Sequence, residues 1–215
     1  NLGISIGIAQ YNNPAGLEKI GESYYKEALE RDPNFAPALI ALGEAKLRNA
    51  FYSEALEYLL RAEKVLTRFN TRLENGKLYY LLGHVYLALD EQEKSYDYFR
   101  KAALDELLKK KIPVQLVGEG WEKYQTPYER YRTIEKPVTF DLSFEKIARE
   151  QIMLDVSPIF NRGVHDRAIA GMANRTVVLT DSNPYRCAHF KNRKDMMFYS
   201  LAKIDSLSEA AGELM

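Results

Sequence analysis

The chain carries one cysteine, Cys187, and three histidines in 215 residues. A lone thiol cannot pair within the chain, so a disulfide framework is excluded, and one thiol with three histidines makes no zinc cluster. That residue set fits a reducing compartment, and a cytoplasmic setting is the expectation. Net charge is also lacking: 30 Lys and Arg face 30 Asp and Glu, and both halves of the chain are balanced. A partner recruited by bulk positive charge, whether nucleic acid or anionic membrane, is excluded by that balance. No apolar run approaches the roughly 18 residues a spanning helix needs, and the first residues lack the basic-then-apolar layout of a signal peptide. What is present is a 46% share of hydrophobic residues with no stretch of low complexity, which predicts a soluble, folded protein. The length allows one large domain or two small ones.

The patterning changes character at Lys109-Lys110-Lys111-Ile112-Pro113. Up to Lys111 the chain has helical periodicity; from Ile112 short β-rich runs alternate with helical segments. Two domains are expected, 1–111 and 112–215. Within the first, Leu39, Leu42-Gly43, Ala55, Leu59 and Ala62 are matched at a constant offset by Tyr79, Leu82-Gly83, Ser95, Phe99 and Ala102, with Tyr86 also in step. A fixed period of this kind marks a stack of two-helix units. Small residues at Gly43 and Gly83 on the first helix, and at Ala55, Ala62, Ser95 and Ala102 on the second, let paired helices approach, and the bulky positions fill the space between.

This pattern resembles the tetratricopeptide repeat, a helix-turn-helix unit of about 34 residues. Tyr25, Ala28 and Pro33 match the end of an earlier unit, so the resemblance covers three units. It departs at the glycine-rich stretch Gly3 to Asn12 and at the Thr67 to Asn75 link, which is about six residues longer than usual. Ten of the fifteen tyrosines precede residue 111, and Tyr24, Tyr52, Tyr80 and Tyr96 stand off the core positions. They half-bury between helices with the hydroxyl wet, or they line a concave face for a protein or peptide partner.

From Ile112 the expected order is strand IPVQLVG, a turn at Gly118-Glu119-Gly120, a short strand at Pro137 to Phe140, a helix at Ser143 to Gln151, strand IMLDVS, a helix from Asp166 to Asn174, strand TVVLTD, a short helix around Tyr185 to Phe190, strand MMFYS and a helix at Ser206 to Leu214. Alternating strands and helices, with strands rich in Val, Ile, Leu and Met, predict an open parallel sheet covered on both faces. Ligands of such sheets bind at the carboxyl ends of the strands.

After the second apolar strand the chain reads SPIFNRGVHDRAIAGMAN. Ser157 ends a strand, Gly163 lies in the loop, and a helix starts near His165 or Asp166, so free amides and the positive end of the helix dipole point to a phosphate. His165 and Arg167 add donors for a diphosphate, Asp166 is read as the helix cap, and a backbone-satisfied, partly buried histidine is the competing account of His165. After the next strand, Thr180 and Asp181 precede the turn Asn183-Pro184, and Asp181 is either an acceptor for sugar hydroxyls or a turn cap. Gly118 and Gly120 fit close ligand approach, although the full dinucleotide fingerprint is absent. His84, His189 and Cys187 read as structural.

Together, LVGEGWE, DVSPIFNRGVHDRAIAGMANRTVVLTDSNPY and DMMFYSLAKIDSL resemble the carboxy-terminal nucleotide-sugar domain of a bacterial group 1, retaining, GT-B type glycosyltransferase over residues 112 to 215. The resemblance implies a Rossmann-like fold with a nucleotide-sugar pocket, His165 and Arg167 stabilising the departing diphosphate, and Gly118, Gly120, Ser157, Gly163, Asp166, Thr180, Asp181 and Asn183 around the donor, with no metal or other cofactor. Arg162 and Ala170 stand where larger relatives carry two glutamates, and Arg175 where a glycine is usual. The repeats occupy the side on which such enzymes carry an acceptor domain, so a second glycosyltransferase half or an oligomer is a further expected partner. Two functions of different class follow. One is a glycosyltransferase, or part of one, whose repeats dock a protein acceptor or partner; the other is a non-catalytic repeat scaffold with a degenerate glycosyltransferase-like domain.

Overall fold

A computed structural model of the chain describes residues 14–69, 75–158, 160 and 162–215. The expected front helix around Gly3 to Asn12 lies outside them. Two compact units are present, Asn1–Glu91 and Gln92–Met215.

In the first unit, α1 (Pro14–Arg31), α2 (Ala36–Arg48), α3 (Tyr52–Phe69) and α4 (Asn75–Ala88) follow one another, with α2 packed on α1, α3 and α4. Pro37 stands in the first turn of α2, where a missing N–H costs nothing. Every position singled out by the constant offset in this unit is buried: Leu39, Leu42, Ala55, Leu59, Ala62, Tyr79, Leu82 and Tyr86. At Gly43 a Cβ would stand 2.6 Å from the Leu59 side chain, so only a glycine allows α2 and α3 this approach. The link expected from Thr67 starts later, since α3 continues to Phe69.

The second unit opens with α5 (Gln92–Lys109), whose Ser95, Phe99 and Ala102 are likewise buried. Within this unit α5 packs on β1 (Val114–Val117) and on α9 (Asp205–Gly212), to which Ser208 ties it by donating to Glu106 Oε1 at 2.5 Å. β1 pairs in parallel with β2 (Arg132–Glu135), Val114 opposite Arg132. The strand expected at Pro137 to Phe140 is therefore misplaced: Pro137 has no N–H to give a ladder, and Phe140 opens α6 (Phe140–Ile147), where it meets Phe144 edge to face. Further on lie β3 (Ile152–Asp155), α7 (Asp166–Ala173), β4 (Val177–Asp181), α8 (Pro184–His189) and β5 (Met197–Tyr199).

The strands are parallel, as expected of apolar runs alternating with helices, but they form two sheets, β1-β2 and β3-β4-β5, in place of one. The chain is thus a helical region followed by a segment of small parallel sheets and helices. α7 packs on β3 and β4, and at Gly171 a Cβ would stand 2.9 Å from Val178 Cγ2. Ala168, Val178 and Met196 form the buried centre beneath it.

Candidate functional site

β3 and β4 run in register from Ile152 opposite Val177 to Asp155 opposite Thr180, and each strand ends on a carboxylate: Asp155 on β3 and, one residue further along, Asp181 on β4. These side chains are buried, at 5% and 2% exposure, and the cation between them is Arg186 from α8, at 0%. Its guanidinium stands 3.0 Å from Asp181 Oδ2 and 3.4 Å from Asp155 Oδ2, and donates to the Asp181 carbonyl at 2.7 Å. Ser157 N–H donates to Asp181 Oδ1 at 2.6 Å, the Ser157 hydroxyl to Asp155 Oδ1 at 2.7 Å, and the Thr180 hydroxyl to Asp155 Oδ2 at 3.1 Å. Tyr199, on β5 opposite Asp181, donates to the Asp155 carbonyl at 3.3 Å. Asn183 caps α8 by accepting from Arg186 N–H at 2.7 Å, and its amide donates to the Phe160 carbonyl at 2.8 Å.

Burial pushes the Asp181 carboxyl up from its usual range; the Ser157 N–H and the Arg186 charge pull it back, and the Asp155 charge adds to the rise. Burial likewise holds the Tyr199 hydroxyl well above its ordinary value. Ser157, Thr180, Asp181 and Asn183 are thus brought together as expected, but in a buried frame around Asp155 and Arg186. That frame fixes the carboxyl ends of β3 and β4 and the start of α8.

The amino end of α7 is the more open part. His165, and not Asp166, is its N-cap: the backbone turns extended there (φ −65°, ψ 143°), and His165 Nδ1 accepts from Arg167 N–H at 3.2 Å. Asp166, in the first turn, accepts from the same N–H at 3.0 Å and lies against the His165 ring, whose other neighbour is Phe160 at 5.5 Å between ring centres. His165 is half-buried, Asp166 and Arg167 are exposed, and Gly163 is half-buried in the loop before them. Arg167 Nε reaches His165 Nδ1 at 3.5 Å, and among the described residues no carboxylate forms an ion pair with its guanidinium.

After β1, Gly118 (φ 138°) and Gly120 (φ 85°) hold backbone conformations that L side chains rarely adopt. Nothing lies within 4 Å of a Cβ placed at Gly120, so backbone geometry rather than crowding explains the glycine. Arg132 pins this loop by donating to the Tyr124 carbonyl at 2.6 Å and the Trp121 carbonyl at 3.3 Å.

Asp155 and Arg186 escaped the sequence reading. The available signal was a pair of carboxylates ending two apolar strands, IMLD and VVLTD, since charges placed there demand a buried cation. Of the four off-core tyrosines, Tyr52, Tyr80 and Tyr96 are half-buried whereas Tyr24 is exposed, and the Tyr96 hydroxyl is sealed from solvent rather than wet. His84 meets the Tyr80 ring edge-on at 4.5 Å, and His189 stacks on Tyr185 at 4.1 Å. Cys187 is an exposed free thiol.

Among the described residues no group of three or more metal-ligating side chains converges, and no helix is long and apolar enough to cross a membrane. No family, no curated protein and no solved structure matches this chain.

Proposed function

We propose that the second unit binds a nucleotide sugar through its diphosphate at the amino end of α7, and that the chain is a glycosyltransferase or a part of one. One observation carries this reading. The chain leaves a parallel strand at Asp155 and enters a helix at Asp166, and it sets His165 and the exposed guanidinium of Arg167 at that helix start. Helix-start amides and a planar guanidinium are matched to phosphate oxygens, and the same groups stabilise the charge that grows on a departing diphosphate. In this reading Gly163 and Asp166 shape the anion loop, and Gly118 and Gly120 border the nucleoside. Ser157, Thr180, Asp181 and Asn183 act one step back, as the frame that holds the loop. The reading calls for no metal, because the exposed Arg167 guanidinium offers a countercharge at the helix start. The helical region, read as a tetratricopeptide-like stack that precedes a Rossmann-like domain in the chain, docks the protein acceptor, a protein partner or a second glycosyltransferase half.

A second reading, a non-catalytic scaffold, is favoured by the buried frame itself. The groups that would contact the sugar are already satisfied by one another and by Arg186. UDP or GDP at 100 times its Kd raises stability by about 2.7 kcal/mol, visible as a raised Tm. Arg167→Ala abolishes most of that rise. No shift with either nucleotide refutes donor binding; a shift without sugar transfer, alone or with a supplied partner chain, leaves the scaffold.

A further inference from the structure

His165 Nδ1 has one lone pair and competing neighbours. Arg167 N–H stands 3.2 Å away and Arg167 Nε 3.5 Å, both donors that call for a bare nitrogen. Asp166 Oδ1 lies against the same atom and is an acceptor, which calls for a proton on it. These demands exclude one another, so the ring has two states. With Nδ1 bare, the ring itself caps α7 by accepting from Arg167 N–H. With Nδ1 protonated, the ring donates to Asp166, and Arg167 N–H keeps Asp166 Oδ1 at 3.0 Å. The helix start is capped either way, so protonating the ring orphans no amide.

The ring is also held in place. Its edge meets Phe160 at 5.5 Å between centres, the Phe160 carbonyl accepts from the Asn183 amide at 2.8 Å, and Phe160 N–H donates to the Ser157 carbonyl at 3.1 Å. The charges beside it pull in opposite directions, Asp166 favouring the imidazolium and Arg167 opposing it. Of the elements packed on α7, β3 and β4 bring Asp155 and Asp181, both engaged by Arg186, and α6 brings Asp141, Glu145 and Lys146. Lys146 is paired with Glu135, and Glu145 with Arg149. Among the described residues none of these groups forms an ion pair with His165, and no hydrogen bond engages its Nε2. An anion arriving there offsets Arg167 and adds to Asp166, which tips the ring to the cation. Only a doubly protonated imidazole donates to two acceptors at once.

We propose that anion binding at the start of α7 is linked to protonation of His165: a phosphate oxygen accepts from Nε2–H, Asp166 accepts from Nδ1–H, and one proton enters from solvent as the ligand binds. The inference rests on the donor-site reading above and deepens it, since it makes Asp166 a positioning residue that holds the imidazolium serving the diphosphate. Such a site grips its ligand more tightly as pH falls, the sign that linkage requires of a complex holding more protons than its separate parts.

Calorimetric titration of the whole chain with UDP at pH 7.5, in two buffers of different ionisation enthalpy, counts the protons taken up. The wild-type chain is expected to take up more than half a proton per UDP bound, and to bind several-fold more tightly at pH 7.5 than at pH 8.5. Asp166→Asn keeps a capping oxygen but no charge, and is expected to lose most of the uptake while retaining measurable affinity. His165→Gln is expected to bind without uptake and with an affinity flat over that range, which separates the ring from the titration of the ligand phosphate. Wild-type uptake near zero, or uptake that persists in His165→Gln, overturns the proposal and leaves the donor site standing. Wild-type protein that binds neither UDP nor GDP overturns both readings together. Should His165→Gln not bind at all, Asp166→Asn decides: lost uptake supports the link, and uptake equal to wild type refutes it.

Discussion

Arg186→Met removes the cation of the buried frame while roughly keeping its length. Arg186 is wholly buried, pairs with Asp181 at 3.0 Å and Asp155 at 3.4 Å, and donates to the Asp181 carbonyl at 2.7 Å. Without it two buried carboxylates face each other with hydroxyls and one N–H for company. Breaking a buried ion pair from one side costs about 3–5 kcal/mol, because the charge left behind has no compensation. With a urea slope of about 2 kcal/mol/M, the unfolding midpoint falls by roughly 2 M. The only tryptophan, Trp121, lies in the same unit and reports its unfolding by fluorescence. The loss also has a pH signature. Burial raises the folded-state pKa of Asp181 above its ordinary value of 3.8, and Arg186 is among the groups that hold that rise in check. A raised folded pKa means the native state binds this proton more tightly than the unfolded chain, so stability from it is full below 3.8 and is lost as pH rises through the folded value. Removing Arg186 lifts that value further, so the deficit of the variant is largest near neutral pH and narrows on acidification. A midpoint loss worth less than about 1 kcal/mol, or a deficit that grows as pH falls, refutes the buried-frame account.

Arg175 ends α7 at φ 64°, with Arg175 N–H on the Met172 carbonyl and Thr176 N–H on the Gly171 carbonyl, the paired bonds of a left-handed helix terminus that favours glycine. Relief of the left-handed strain exceeds the added freedom of the unfolded chain, so Arg175→Gly is expected to stabilise the second unit by about 1 kcal/mol in the same urea assay; a loss of stability counts against it. In the first unit, burial lowers the His84 pKa below its ordinary value of 6.5. Stability from the neutral ring is therefore present above pH 6.5 and lost as pH falls through the folded value, and melting followed by circular dichroism at pH 7.5 and 5.5 should show it. His84→Gln flattens the difference; an equal slope in the variant rules His84 out as its source.

Much of this architecture is legible locally. The constant offset from Leu39 and Leu59 to Tyr79 and Phe99 marks side chains that the fold buries, because helical periodicity records which face meets a neighbour. The runs IMLD, VVLTD and MFY are strands for the equally local reason that apolar, β-favouring stretches bounded by turns have few other ways to be buried. The helix start at His165 was legible too, although the cap fell on the ring of His165 rather than on Asp166. At Pro137 the same reasoning failed, since Arg132 to Glu135 is a polar run whose strand character comes from pairing with Val114 to Val117.

Sequence alone determined the helical character of the first part, the strands β1, β3, β4 and β5, and the helix start that carries His165 and Arg167. Only the tertiary structure decided that α5 joins the second unit, that the strands part into two sheets, and that Arg186 lies between Asp155 and Asp181. Periodicity reports on contacts within a few residues, whereas Asp155 and Arg186 are 31 positions apart and meet because the pairing of β3 with β4 brings the end of β3 beside the chain that leaves β4 for α8.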